Sequence, residues 1–204
     1  MSFLVLQTTK RNQLVSELAE KNLMVNLRLT CHAETITSAI RIVDVLVKPK
    51  RQGALSLTYE LAGDLALIRI PATQPPIAMD RLWEHTCFEA FIAVEGETGY
   101  QEFNFSPSGQ WAAYAFSDYR VRRAWIANQR PVINISQTNG HLLLEAVIAA
   151  ADLPQNIADK QLQLGLSSVI EANDGNRSYW ALHHPETHPD FHHRAGFILS
   201  FIPA

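Results

Sequence analysis

The sequence predicts an all-β protein: an antiparallel two-sheet β-sandwich of the jelly-roll kind, preceded by a short helical appendage. Three observations carry this expectation. From Met24 onward, short apolar-rich segments follow one another with a turn signal about every ten residues, the pattern of a sandwich or barrel. Leu55, Leu57, Tyr59 and Leu61 alternate with Ser56, Thr58 and Glu60, as a strand with one buried face does. Ala62-Gly63-Asp64 and Asn139-Gly140 have the chemistry of tight turns between strands.

The appendage comes first. Leu14, Val15, Leu18 and Leu23 recur at roughly helical spacing among polar residues, which predicts one short amphipathic helix within residues 1–24. A protein that begins at Met24, with an upstream start added, would read the same way; N-terminal sequencing that finds Met1 or Ser2 would exclude it. The sandwich domain is expected over residues 25–204. Its strands fall near 25–31, 40–47, 54–61, 65–70, 82–95, 100–106, 111–117, 131–137, 141–149, 162–171, 178–183 and 196–202, with one helical turn within Asp152–Lys160. No internal repeat or low-complexity segment interrupts them.

Composition narrows the function. With 47% apolar and 18% charged residues, the chain can bury a sizeable core and is not expected to be disordered. A formal charge of −3 argues against nucleic acid, because phosphate binding needs a concentrated excess of Lys and Arg. The small basic clusters at Lys48, Lys50 and Arg51 and at Arg120, Arg122 and Arg123 read as solvated turn residues. Two cysteines, Cys31 and Cys87, provide no disulfide framework. The apolar run Phe3–Leu6 has no basic segment before it and no small-residue cleavage site soon after, so no signal peptide is expected. No apolar stretch approaches the ~18 residues that span a bilayer. A cytoplasmic setting is therefore expected, with no membrane partner.

The functional signal is concentrated in Leu82–Ser117, which reads as three antiparallel strands. On the first, Leu82, Phe88, Ala90, Ile92 and Val94 share one parity, while Trp83, His85, Cys87, Glu89 and Phe91 share the other. On the second, Phe103 and Phe105 oppose Glu102, Asn104 and Ser106. Because a one-residue slip turns every side chain over, matching the apolar faces predicts Ile92 opposite Phe103 and Ala90 opposite Phe105. A four-residue turn, Gly96–Gly99, then joins the strands, with Phe91 beside Asn104 and Glu89 beside Ser106. Across the Pro107–Gln110 turn the same matching sends Ala112, Tyr114 and Phe116 to the core and sets Trp111 beside Ser106. The polar parity thus gathers Trp83, His85, Glu89, Glu102, Asn104 and Trp111 on one candidate ligand face, with Arg120 and Trp180 at its rim.

These residues resemble a known family. Trp83 with Glu89, then Phe91-Ile92, Asn104, Pro107 and Gly109, is similar to the pattern of DOMON-like domains, which in turn resemble the family-nine carbohydrate-binding modules of xylanases. The fuller string WEHTCFEAFI…EFNFSPSGQWAAYAF, with Tyr119-Arg120 and a late HPDFHH, resembles a bacterial DOMON-like subgroup from about Asn26 to the C-terminus. The resemblance implies a β-sandwich that binds sugars or haem and is not generally catalytic. Two departures matter. Sugar-binding relatives usually carry Asp three residues after the Trp, where this chain has Thr86. Haem-binding relatives use Met and His as axial ligands, for which Met79 and His85 are the nearest pair.

Other chemistry is weaker. Five histidines crowd HHPETHPDFHH, so His183, His188 and His192, near Asp190, are candidate ligands for a first-row metal; their spacing matches no zinc signature, and a plain polar loop anchored by Phe191 reads equally well. His85, Cys87 and Glu89 are spaced two apart on a strand, about 6.6 Å along the backbone, too far for nucleophile and base to meet within ~3.2 Å. Cys87 reads as a packing residue. Glu89 and Glu102 could form the carboxylate pair of a glycoside hydrolase, where separations of ~5–9.5 Å are productive. No P-loop, dinucleotide fingerprint or Gly-x-Ser-x-Gly elbow is present. The expectation is a non-catalytic module that binds a small molecule, a saccharide first, with no cofactor. A metal-dependent enzyme built on the His183–His193 loop and a haem-binding module are the alternatives.

Overall fold

The computed structural model describes residues 24–155 and 160–202. The helix expected within residues 1–24 lies outside them, as do residues 156–159 of the turn expected within Asp152–Lys160. Two antiparallel sheets follow. The smaller contains β1 (Val25–Arg28), β3 (Ile40–Pro49), β4 (Leu55–Gly63), β10 (His141–Ile148) and β9 (Val132–Thr138), side by side in that order. The larger runs β2 (Thr30–Cys31), β12 (Arg177–Ala181), β11 (Leu162–Glu171), β5 (Cys87–Val94), β6 (Tyr100–Phe105), β7 (Trp111–Asp118) and β8 (Val121–Arg123), and β13 (Leu199–Phe201) also pairs with β11. Among the described residues no helix is long and apolar enough to cross a membrane.

Alternation explains how the sheets meet. Val43, Val45 and Val47 of β3, Leu55 to Leu61 of β4 and Leu142, Leu144 and Ala146 of β10 form one cluster with Phe88, Ala90, Ile92, Phe103 and Phe105 of the larger sheet. Leu162, Leu164 and Leu166 of β11 complete it. Sandwich cores are made of two inner faces interdigitated in this way. The Leu55–Leu61 alternation is thus correct, and the Asn139-Gly140 pair closes the β9–β10 hairpin, with Gly140 at a φ of 80°. Ala62-Gly63-Asp64 instead ends β4 and leads into a 3-10 turn, Leu65–Leu67, where a strand was expected; only Ile68 of that segment bridges to the sheet, at Ala172.

Unlike β4, the central strands of the larger sheet are buried on both faces: every residue of β5 and of β6 is buried. Such strands need cover on the outer side as well. That outer side is where the predicted registers have to be corrected.

In β5–β6 the observed pairs are Glu89 with Asn104, Ala90 with Phe103 and Phe91 with Glu102. The parity is as expected, but the register is displaced by two residues, because Val94 to Gly99 make a longer connection that closes with the Glu97 amide donating to the Val94 carbonyl at 3.1 Å. In β6–β7 the displacement is one residue, and it inverts the strand. Phe105 pairs with Trp111, Asn104 with Ala112 and Glu102 with Tyr114. The Ser106 amide donates to Gln110 at 3.0 Å, and Gly109 sits at a φ of 90°. The hairpin loop therefore has three residues, Pro107–Gly109, of the kind that a left-handed glycine permits. Ala112, Tyr114 and Phe116 face outward, and Trp111 turns toward the core side with Ala113.

The expected strand 82–95 also begins late. Arg81 is left-handed at a φ of 65°, Leu82–Glu84 form a 3-10 turn, and β5 starts only at Cys87. Strand parity therefore does not govern Trp83 or His85. Thr86 pins the junction: its hydroxyl donates to the Arg69 carbonyl at 2.6 Å and accepts from the Glu171 amide at 3.1 Å.

Candidate functional site

The outer face of the larger sheet holds a cleft of about 310 Å³. Its floor is Glu89 and Phe91 of β5, Glu102 of β6, Phe116 of β7, Val169 of β11 and Tyr179 of β12. Its walls are Trp83, the guanidinium-bearing Arg120, Arg122 and Arg177, and the loop residues Pro189, Phe191 and His192. The volume lies at the lower end of the ~300–1,000 Å³ usual for small-molecule sites. The wall aromatics have fixed places. Trp83 stands edge-to-face on Tyr114 with ring centroids 5.9 Å apart, and Phe191 lies against Tyr179 at 6.0 Å.

Two carboxyl groups sit on the floor almost out of water. Glu89 faces Asn104 across the ladder and Glu102 lies two pairs further along, the diagonal relation that separates neighbours by about 7–8 Å, with their Cβ atoms somewhat closer. Burial first, and the neighbouring Glu102 second, push the Glu89 carboxyl well above the ordinary carboxylate range; the Ser167 hydroxyl at 3.4 Å opposes this weakly. Burial also raises Glu102, to about 7, against the Asn104 amide and the guanidinium groups of Arg122 and Arg120. Asn104 donates to Glu102 Oε1 at 2.7 Å. Glu89 Oε1 and Asn104 Oδ1 are buried with no hydrogen-bond partner among the described residues, although buried polar atoms are normally satisfied.

A loop of histidines forms the remaining wall through Tyr100. The Arg120 backbone amide donates to the Tyr100 hydroxyl at 3.0 Å, and that hydroxyl shares a second hydrogen bond with His192 Nδ1, 2.8 Å away. The other ring nitrogen, Nε2, lies 3.8 Å from Glu102 Oε2. Burial, with Arg120 nearby, lowers His192 to about 4. Asp190 ties the loop to the β7–β8 turn. Its carboxylate accepts from the Tyr119 hydroxyl at 2.7 Å, from Arg120 Nη2 at 2.8 Å and from the His192 amide at 3.1 Å.

The loop is also held from below. Phe197 packs on Phe91 and Tyr100 at 5.6 Å from each, and it reaches the sheet at a glycine. A Cβ added to Gly165 would lie 2.6 Å from the Phe197 ring. Gly165→Ala is therefore expected to cost about 1–3 kcal/mol, as overpacking does, measured by urea unfolding; an unchanged midpoint would show that the ring moves aside freely.

The structure sorts the expected site residues. Trp83, Glu89, Glu102 and Arg120 all reach the cleft, and Asn104 supports Glu102 from beneath. Trp111 does not, because the one-residue displacement of β7 puts it on the opposite side of the sheet. Trp180 does not either: it pairs with Ser168, belongs to the core between the sheets and donates to the Ser178 hydroxyl at 3.0 Å. Its neighbour Tyr179 takes the place at the cleft. His85 is exposed, donates through Nδ1 to Glu171 at 2.8 Å, and shares a separate recess with Met79.

His183, His188 and His192 are not brought together: among the described residues no group of three or more His, Cys, Asp or Glu could hold a metal ion. Cys87 is fully buried, packed with Leu82 and Ala112. Tyr100, Arg122, Arg177 and Tyr179 are the contributors that the sequence reading missed. The alternation within Arg177–Ala181 would have offered Tyr179 had Trp180 been assigned to the core.

No family model matches the sequence, and no curated protein sequence does, so the DOMON-like resemblance rests on its motif residues. Among solved structures, the fold is similar to that of a protein from Bacteroides uniformis ATCC 8492 described provisionally as carbohydrate-binding, with a TM-score of 0.62 at 17% identity, over 93% of this chain and 92% of that one. A family 9 carbohydrate-binding module from Caldicellulosiruptor kristjanssonii, solved with cellotriose, aligns over 74% of each chain with a TM-score of 0.42 at 11% identity. The second likeness is too remote to inform this chain.

Proposed function

We propose that the protein is a non-catalytic carbohydrate-binding module whose site is the cleft on the outer face of the larger sheet. One observation carries the reading. Half-buried aromatic rings stand over a floor where Glu89 keeps an unpartnered oxygen, and sugars need that combination of a flat apolar surface with convergent polar groups. In this reading Trp83 or Tyr179 stacks on a sugar face, while Glu89, Glu102 and the arginines exchange hydrogen bonds with its hydroxyls. The DOMON-like motif residues support it, and so does the description of the Bacteroides uniformis protein that shares the fold.

The test is calorimetric titration with a panel of mono- and oligosaccharides. Trp83→Ala is expected to weaken the best ligand by at least about fivefold, the loss of one well-placed aromatic contact, and Glu89→Gln to change selectivity within the panel. Absence of binding by any sugar would remove the proposal. A second reading, glycoside hydrolysis, is favoured by the diagonal Glu89–Glu102 pair, whose environments hold one carboxyl more firmly protonated than the other. Under the proposal the bound oligosaccharide is recovered intact; cleavage lost in Glu102→Gln would favour the hydrolase instead.

A further inference from the structure

Resting on the saccharide reading, we infer that the cleft selects an acidic sugar, a saccharide bearing a carboxylate or another anionic group, which Arg122 and Arg177 receive. The three guanidinium groups at the cleft are not equivalent. Arg120 is committed, holding Asp190 at 2.8 Å and the Tyr119 hydroxyl at 3.2 Å. Arg122 stands over the Tyr114 ring, its Cζ 3.8 Å from the centroid, and its nearest acid, Asp80, is 3.8 Å away. That distance is too long for a hydrogen bond, so its donor edge is open.

Arg177 makes no side-chain hydrogen bond and no ion pair among the described residues. Glu171 stands opposite it across the ladder, but the two Glu171 oxygens are engaged by Arg69 at 2.6 Å and by His85 at 2.8 Å. Two open guanidinium groups thus border one cleft. Guanidinium forks match carboxylates and other oxyanions in geometry, and such charge-assisted bonds are stronger than bonds to neutral hydroxyls.

The floor acids do not cancel this field at neutral pH. Burial favours the uncharged form of Glu89, in which a carboxyl donates a hydrogen bond to an anion instead of repelling it. Glu102 shares its charge with the Asn104 amide and faces neutral His192. Of the acids outside the floor, Asp190 is spent on Arg120, and Asp80 stays exposed, 3.8 Å from Arg122. A neutral sugar would leave Arg177 without a counter-charge and Arg122 with only the exposed Asp80 at 3.8 Å; an acidic one supplies a closer charge to both.

The experiment titrates matched pairs: methyl glucoside against methyl glucuronide, the galacto and manno equivalents, and glucose against its 6-sulfate and 6-phosphate. In at least one pair the acidic member is expected to bind about tenfold or more tightly than the neutral one, the scale of one charge-assisted contact. The margin should shrink in high salt. Arg177→Gln and Arg122→Gln should each reduce it, and the double variant should remove it.

If neutral members bind as well as their acidic counterparts, or if the margin survives the double variant, this inference is wrong while the saccharide reading stands. If no member of any pair binds, both fall. The carboxylate, sulfate and phosphate arms identify which anionic group is preferred.

Discussion

Replacing Glu102 by Gln is expected to stabilise the protein at about pH 8 by roughly 2–3 kcal/mol and to flatten its pH dependence. The folded protein raises this carboxyl from an ordinary 4.5 to about 7. A group raised in this way lends its stability in full below 4.5 and loses it as pH rises through about 7. Glu89 is raised in the same direction and acts with the same sign. His192 works the other way. Lowered from 6.5 to about 4, it contributes above its unfolded value and loses that contribution as pH falls toward about 4.

Two carboxyls outweigh one imidazole, so stability should rise as pH is lowered from about 8 toward about 5. It should fall below that as His192 and Asp190 take up protons. Unfolding midpoints across this range, for the wild type and for Glu102→Gln, measure the effect. The glutamine can still accept from Asn104, so the comparison isolates the charge. A wild type that is most stable at alkaline pH would contradict the buried, proton-retaining floor.

The second large effect is expected at Asp190. Its buried carboxylate gathers the Tyr119 hydroxyl, the Arg120 guanidinium and the His192 amide. Truncation to Ala leaves three donors unpaired at once. Breaking a buried pair costs about 3–5 kcal/mol, and Arg120 is half exposed, which screens its share; about 2–4 kcal/mol is expected for Asp190→Ala. Because the same contacts hold Pro189, Phe191 and His192 against the sheet, ligand affinity should fall more than stability alone explains. Asp190→Asn, which keeps an acceptor for Tyr119, should cost less in both assays. Equal ligand affinity in wild type and Asp190→Ala would show that the loop is not a wall of the site.

The sequence was most legible where one face is wholly apolar and the other carries polar residues. Leu55 to Leu61 declared their faces because Ser56, Thr58 and Glu60 could not be mistaken for core. β5 also declared its parity, since Glu89 interrupts Phe88, Ala90 and Ile92. β7 could not. Both of its faces carry aromatic and small residues, so the pattern scores the two registers alike, and the decision fell to the turn. A three-residue loop on Gly109 was chosen where four residues were expected.

Trp83 and Trp180 show the same limit in different forms. Trp83 reaches the cleft from a 3-10 turn, where alternation has no meaning. Trp180 was misplaced because Tyr179 and Trp180 are equally good aromatics for a wall. The histidines illustrate a third case. Their density suggested metal, but tertiary contacts spend them separately: His192 on Tyr100, His184 on the Thr30 carbonyl at 2.8 Å and His193 beside Glu186 at 3.4 Å.

The Pro107–Gly109 loop has a consequence for how such a site can diversify. Its length acts as a selector: three residues turn Ala112, Tyr114 and Phe116 to the cleft's side of the sheet, whereas one inserted residue would turn Trp111, Ala113 and Ala115 there instead. The first set puts Phe116 on the floor and Tyr114 against Trp83, and the second would leave one large ring, Trp111, at the end of the strand. A single codon in this turn would thereby exchange the face that a whole strand offers.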